Sequence, residues 1–201
     1  MIRLQGATGN PGKLREFRLA AGLAPVNIEL LPGFKEIAPC VEDGRTFEEN
    51  AAIKARHYGR HAPGLLFADD SGLEVDALHG APGVLSARFS LIEPPAAGPP
   101  LPVDEANNRL LLEKLRGIEN RDARFVCAIA LVEDGQLRGV WRGAVEGVIL
   151  EEARGTGGFG YDPLFYCPQV GCTFGEASEE QKFAVSHRGQ ALRAMLAALG
   201  Y

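Results

Sequence analysis

The stretch IRLQGATGNPGKLREFRLAA, residues 2–21, decides the fold class. Ile2 to Ala7 reads as a short strand, and from about Gly12 to Ala21 the apolar residues Leu14, Phe17 and Leu19 stand among good helix formers. A strand, a loop and a helix in that order open an α/β fold. The connecting loop, Thr8, Gly9, Asn10, Pro11, Gly12 and Lys13, holds two glycines able to expose backbone N–H groups. The helix behind it points the positive end of its dipole at whatever binds there. An anion is the expected occupant.

The rest of the chain extends the pattern. Val26–Leu31 suggests a second strand, followed by an acid-bearing loop from Pro32 to Arg45 that includes Glu42. Thr46-Phe47-Glu48-Glu49 fits a capping box, opening a helix to about Tyr58 or Gly59 with Asn50 and Lys54 on one face. Leu65–Ala68 reads as a short strand ending directly in Asp69-Asp70-Ser71-Gly72, which would put those side chains at a sheet edge. Glu93–Pro102 contains five prolines and is expected to be a loop, a flap or a hinge. Asp104 can cap a helix reaching about Arg116 and burying Leu110, Leu111 and Leu115. Strands at Arg124–Glu133 and Leu137–Ile149, joined by Asp134-Gly135, predict an antiparallel hairpin. The chain closes on a helix over 186–199 with Ala191, Leu192, Met195, Leu196 and Leu199 as its apolar stripe.

Composition narrows the function classes. The 201 residues carry a net charge of -5, which argues against wrapping a nucleic-acid backbone but leaves room for a small anion in a local basic pocket. No signal-like or membrane-spanning apolar run is present in the sequence, so a soluble cytoplasmic protein without membrane partners is expected. Cys40, Cys127, Cys167 and Cys172 have no CxxC spacing and read as reduced thiols, not metal ligands. His57 and His61 lack a third ligand and read as solvated.

Four blocks carry the chemistry: TGNPGK (8–13), ADDSG (68–72), GGFGYD (157–162) and SHR (186–188). A triphosphate carries about four negative charges, so its site needs a divalent cation and several N–H donors. Asp69 and Asp70 offer the hard oxygen ligands that suit Mg²⁺. Lys13, Lys182 and Arg188 are the better phosphate partners, whereas Lys54 and Arg88 rest on weaker context and stay outside the expected site. Other nucleotide readings fit less well. A P-loop fails at both ends, Ala7 and Leu14, and Gly155, Gly157 and Gly160 satisfy GxGxxG only with Tyr161-Asp162-Pro163 where a helix should start. A non-catalytic purine nucleotide-binding module would share every phosphate contact.

In order and spacing, TGNPGK, TFEENAAIKA, ADDSGLEVDALHGAPGVLSARF, ARFVCAIAL, GTGGFGYDPLF and KFAVSHRGQAL resemble the inosine triphosphate pyrophosphatase family over nearly the whole chain. The resemblance implies an α/β fold with a long mixed sheet and flanking helices, divided into two interwoven lobes with the active site in the cleft between them. Residues 1–201 are then a single domain. It also implies Mg²⁺-dependent hydrolysis of ITP, dITP and XTP to the monophosphate and pyrophosphate, in a homodimer. Glu42 and Asp70 match the family's metal ligands, and Asp70 its proton acceptor. Thr8, Gly9, Asn10, Pro11, Gly12, Lys13 and Ser71 are placed on the substrate. Phe159, Gly160, Tyr161, Asp162, His187 and Arg188 surround the base, and Lys182 joins the substrate-binding set. Relative to the family, the proline-rich stretch is long and Pro11 occupies a variable slot.

Overall fold

A computed structural model describes residues 2–22, 24–93 and 101–201. The expected flap at 93–102 falls largely on residues 94–100, outside the described residues. In chain order the elements are β1 (Ile2–Gly6), α1 (Pro11–Ala21), β2 (Val26–Leu30), α2 (Phe47–Gly59), β3 (Leu65–Val75), α3 (Phe89–Ile92), α4 (Val103–Lys114), β4 (Asp122–Glu133), β5 (Gln136–Ile149), β6 (Phe165–Cys167), β7 (Cys172–Thr173), α5 (Glu179–Val185) and α6 (His187–Ala198). Among the described residues the strands form one mixed sheet in the order β2-β1-β3-β4-β5-β6-β7. β1 runs parallel to both β2 and β3, while β5, β6 and β7 pair antiparallel. The two-residue connection Asp134-Gly135 makes β4 and β5 a hairpin, with φ of 49° and 79° as a type I′ turn requires.

The chain divides into two compact units, one of residues 1–71, 126–144 and 186–201, the other of residues 72–125 and 145–185. In the first, Leu4, Phe17, Ile28, Phe67, Ile129, Leu131, Leu192 and Met195 make the core, with Phe17 edge-on to Phe67 at 5.1 Å. α1 packs against α6 there. In the second, Leu73, Leu111, Leu115, Phe125, Ile149, Leu164, Phe165 and Phe174 make a separate core. β4 is buried at every position from Phe125 to Val132, as a central strand covered on both faces must be. β5 begins with alternating partly buried and exposed positions. No helix among the described residues is long and apolar enough to cross a membrane.

Three local expectations are corrected. β3 does not stop at Ala68: it runs through Asp69, Asp70 and Ser71 to Val75, between β1 and β4. Polar residues do not end a strand whose side chains find partners. On the β1 side, however, pairing ends at Gly6↔Phe67, so the acids stand past the carboxyl end of β1. Leu19 is exposed while Glu16 is buried, because residues two apart on a helix sit on nearly opposite faces and Phe17 takes the inward one. Asp104 is not the cap of α4; Pro102 holds that position, and Asp104 is the second helical residue, within the first turn, with its carboxylate free to bind elsewhere.

Candidate active site

The site grows from the carboxyl end of β1. Asn10 caps α1, its Oδ1 accepting from the N–H groups of Gly12 at 2.8 Å and Lys13 at 3.2 Å, and Pro11 fills the first helical turn, where a missing N–H does no harm. Two amides expected to face an anion are therefore already engaged by Asn10. Thr8 Oγ1 accepts from Asn10 N at 3.2 Å, which shapes the loop from the other side. With this geometry Lys13 reaches back over the sheet, and its Nζ donates to Asp69 Oδ2 at 2.7 Å.

Successive side chains of a strand leave opposite faces, and the contacts of β3 follow that rule. Asp69 and Ser71 meet α1 and α6. Besides the Lys13 pair, Arg188 donates to Ser71 Oγ at 3.0 Å and to Glu16 at 2.7 Å. Burial opposes ionisation of Asp69, yet the charges of Lys13, Lys54 and Arg188 outweigh it and hold its carboxyl below the usual range. Asp70 meets α2 instead: Lys54 Nζ donates to Asp70 Oδ1 at 2.9 Å, and Asn50 Nδ2 donates to Asp70 Oδ2 at 3.2 Å. The same Lys54 Nζ donates to Glu42 at 2.9 Å, so both carboxylates converge on one positive charge. Asn50 Oδ1 accepts from Gly44 N at 2.9 Å and thereby pins the loop that carries Glu42.

Burial dominates at Asp70 and pushes its carboxyl above the ordinary value, against the pull of Lys54 and Lys13. Lys54 is shifted upward despite burial, because Asp70, Asp69 and Glu42 all face it. Three carboxylates, Glu42, Asp69 and Asp70, thus act on the single ammonium of Lys54. Mg²⁺ is commonly held by one or two carboxylates plus substrate oxygens; Glu42 and Asp70, already directed at a single cation, fit that donor set. No cage of three His, Cys, Asp or Glu side chains is gathered among the described residues.

The second unit carries the glycine-rich loop. Gly160 has φ 61°, a left-handed backbone that suits glycine. Asp162 is buried; its Oδ2 accepts from Phe159 N at 2.9 Å and from Lys182 Nζ at 2.6 Å. That ammonium also lies 5.2 Å from the Phe159 ring centre and 5.4 Å from that of Phe174. Lys182 is thus buried and paired within the loop's support. The Tyr161 ring belongs to the hydrophobic core and its hydroxyl donates to Ser86 O at 2.9 Å, so its side chain is structural while its backbone stays with the loop. Phe159 is partly exposed. Ser86 ties several pieces together: its hydroxyl accepts from Leu73 N and donates to Gly83 O. A Cβ at Gly72 would lie 2.3 Å from Ser86 Oγ, which explains the glycine of ADDSG.

The profile of the Ham1 family matches residues 4–198. The chain belongs to the Ham1 family. Among curated Ham1 relatives, a protein of Acidobacterium capsulatum named dITP/XTP pyrophosphatase is 50% identical over 199 residues, covering 98% of each chain. A Thermus thermophilus protein of the same name is 49% identical over 197 residues, covering 96% of this chain and 89% of its own. The solved Ham1 protein of Coxiella burnetii superposes with a TM-score of 0.83 at 37% identity, covering 100% of this chain and 99% of its own. A solved nucleoside-triphosphatase / dITP/XTP pyrophosphatase of Mycobacterium abscessus gives 0.73 at 41% identity, covering 97% and 99%. The α/β mixed sheet is therefore that of the Ham1 fold.

Within this Ham1 chain, the structure brings Lys13, Glu42, Asp70, Ser71 and Arg188 into one cluster of the first unit, together with Asp69. Phe159, Gly160, Asp162 and Lys182 gather in the second. His187 is buried at the first turn of α6, whose cap is Ser186. Gly9 is exposed. Lys54, set aside on its sequence context, stands at the centre of the acidic pair. Glu16, Asn50 and Ser86 were not singled out as site residues; Glu16 gave one signal, an acid on the same helical side as Phe17 and Lys13. Arg88 is exposed at the end of the turn Gly83–Arg88. The four cysteines are free thiols.

Proposed function

We propose that this Ham1 protein hydrolyses the non-standard purine nucleoside triphosphates ITP, dITP and XTP to the monophosphate and pyrophosphate, and so cleanses the nucleotide pool. The observation that carries the reading is the convergence of Glu42 and Asp70 on one cation position, beside Lys13 and Arg188. The names of the Acidobacterium and Thermus relatives support the substrate class. A non-catalytic binding module would not require a buried carboxylate of reduced acidity next to that position.

In this reading Asp70 and Glu42 hold Mg²⁺, which supplies offset for the charge that develops on the leaving pyrophosphate. Lys13, Ser71, Arg188 and the Thr8–Lys13 loop take the triphosphate. Asp70 accepts the proton of the water that attacks the α-phosphorus; the bond from that phosphorus to the bridging oxygen breaks and pyrophosphate departs. Phe159 stacks on the purine, with Gly160, Asp162, His187 and the backbone of Tyr161 around it and Lys182 holding Asp162. N–H donors at 186–188 suit a C6 keto oxygen and disfavour the amino group of adenine, a mismatch worth roughly 1 to 3 kcal/mol. The protein acts as a cytoplasmic homodimer.

The test is phosphate release from ITP with Mg²⁺ or with EDTA, each with and without added inorganic pyrophosphatase. Phosphate that appears only when Mg²⁺ and the auxiliary enzyme are both present is expected. Equal phosphate without the auxiliary enzyme would mean γ-cleavage and end the proposal.

A further inference from the structure

Gly160 is the freest residue of the loop that presents Phe159. Its φ is 61°, and a Cβ built there would meet nothing within 4 Å, so no packing around the Cα restricts it. The residues on either side are well held. Asp162 ties down Phe159 N, and Asp162 N donates to Phe159 O at 3.3 Å, closing a turn with Gly160 inside it. Tyr161 is fixed through its buried ring and its bond to Ser86 O. The direction of Phe159 relative to Tyr161 then depends on the two dihedral angles of Gly160.

Both angles are gripped from α4. Asp104 Oδ2 accepts from Gly160 N at 2.9 Å, and Asn108 Nδ2 donates to Gly160 O at 3.0 Å. The two side chains stand four residues apart, one above the other on a helix face. One fixes the peptide plane before Gly160 and the other the plane after it. Their polarities are opposite, an acceptor for the N–H and a donor for the carbonyl, so the pair reads the direction of the backbone as well as its position. Asp104 is able to do this because Pro102 occupies the helix cap and leaves its carboxylate unspent. Neither residue belongs to the expected site.

We infer that Asp104 and Asn108 are positioning residues for the purine-stacking loop: they set the Gly160 backbone, and through it the pose of Phe159 on the base. This rests on the proposed role of Phe159 and deepens it. Affinity for the base end of the nucleotide should depend on the pair, whereas affinity for the phosphate end should not.

The experiment compares Asp104→Ala, Asp104→Asn and Asn108→Asp with the unaltered protein. Asn keeps an acceptor for Gly160 N; Asp at 108 sets an acceptor against the Gly160 carbonyl. For Asp104→Ala and Asn108→Asp the KM for ITP and the inhibition constant of IMP should rise about fivefold or more, with kcat within about twofold. The inhibition constant of pyrophosphate should stay within about twofold, and Asp104→Asn should behave like the unaltered protein. In the ligand-free protein the Gly160 amide should exchange its hydrogen faster in Asp104→Ala but not in Asp104→Asn. Unchanged ITP and IMP constants, pyrophosphate constants that rise in step with them, or an Asp104→Asn as impaired as Asp104→Ala would each overturn the inference. If the unaltered protein does not cleave ITP, the proposed function falls and amide exchange decides the clamp alone: faster exchange in Asp104→Ala supports it, unchanged exchange overturns it.

Discussion

Around Asp70 the polar groups carry full charges, while around Gly160 the grip is mostly on backbone. In the first unit, Lys13, Glu42, Lys54, Asp69, Asp70 and Arg188 neutralise one another from five separate elements and loops, and every member is within reach of another. In the second, the ion pair of Lys182 with Asp162 supports a turn that Asp104 and Asn108 hold by its backbone N–H and carbonyl groups. Charges at the first place can be redistributed when a polyanion arrives. Backbone bonds at the second hold a shape.

Asp70→Asn breaks the comparison hardest. Turnover of ITP should fall by about 10²- to 10⁴-fold, the usual worth of a general base, while KM stays within a few-fold; steady-state kinetics with a pyrophosphate-coupled assay decides it, and near-normal turnover would remove Asp70 from its role. Lys182→Met tests whether the second region tolerates an unbalanced charge. With Asp162 left buried, unfolding free energy in urea should drop by about 3 to 5 kcal/mol, and a loss under 1 kcal/mol would show that the pair is not structurally important. Phe159→Ala should raise KM for ITP about tenfold, consistent with stacking worth about 1 to 3 kcal/mol, with kcat little altered; an equal loss in kcat would move Phe159 from binding to chemistry. Tyr161→Phe is the mildest, removing one hydrogen bond worth about 1 kcal/mol. Its melting temperature should drop by a few degrees while KM for ITP is unchanged, and a shifted KM would place the hydroxyl on the substrate.

Local rules carried much of the fold. The Asp134-Gly135 turn, the Thr46 cap and the apolar stripe of α6 are all legible because neighbours in sequence decide them. Even so, the capping box is shifted: Thr46 Oγ1 accepts from Glu49 N as expected, but the Glu49 carboxylate accepts from Arg45 N. The blocks TGNPGK and ADDSG come together in the fold through Lys13 and Asp69. Distant partners decided what was missed. Glu16 is buried only because Arg188 meets it, and Lys54 matters only because Glu42 and Asp70 close on it. Beyond the place of Glu16 on the Phe17 side of α1, nothing in the periodicity of α1 or α2 separates these from solvated charges. The length of β3 was unreadable for the same reason, since acids continue a strand only when cations from other elements neutralise them.

The pair between Glu16 and Arg188 spans 172 residues, and its second half lies in α6, far along the chain from its first. Until synthesis reaches α6, Glu16 and Ser71 await a guanidinium that does not yet exist. A chain stalled before α6 would therefore carry Glu16 without the guanidinium that pairs with it, while Lys13 and Lys54 already stand against Asp69 and Asp70.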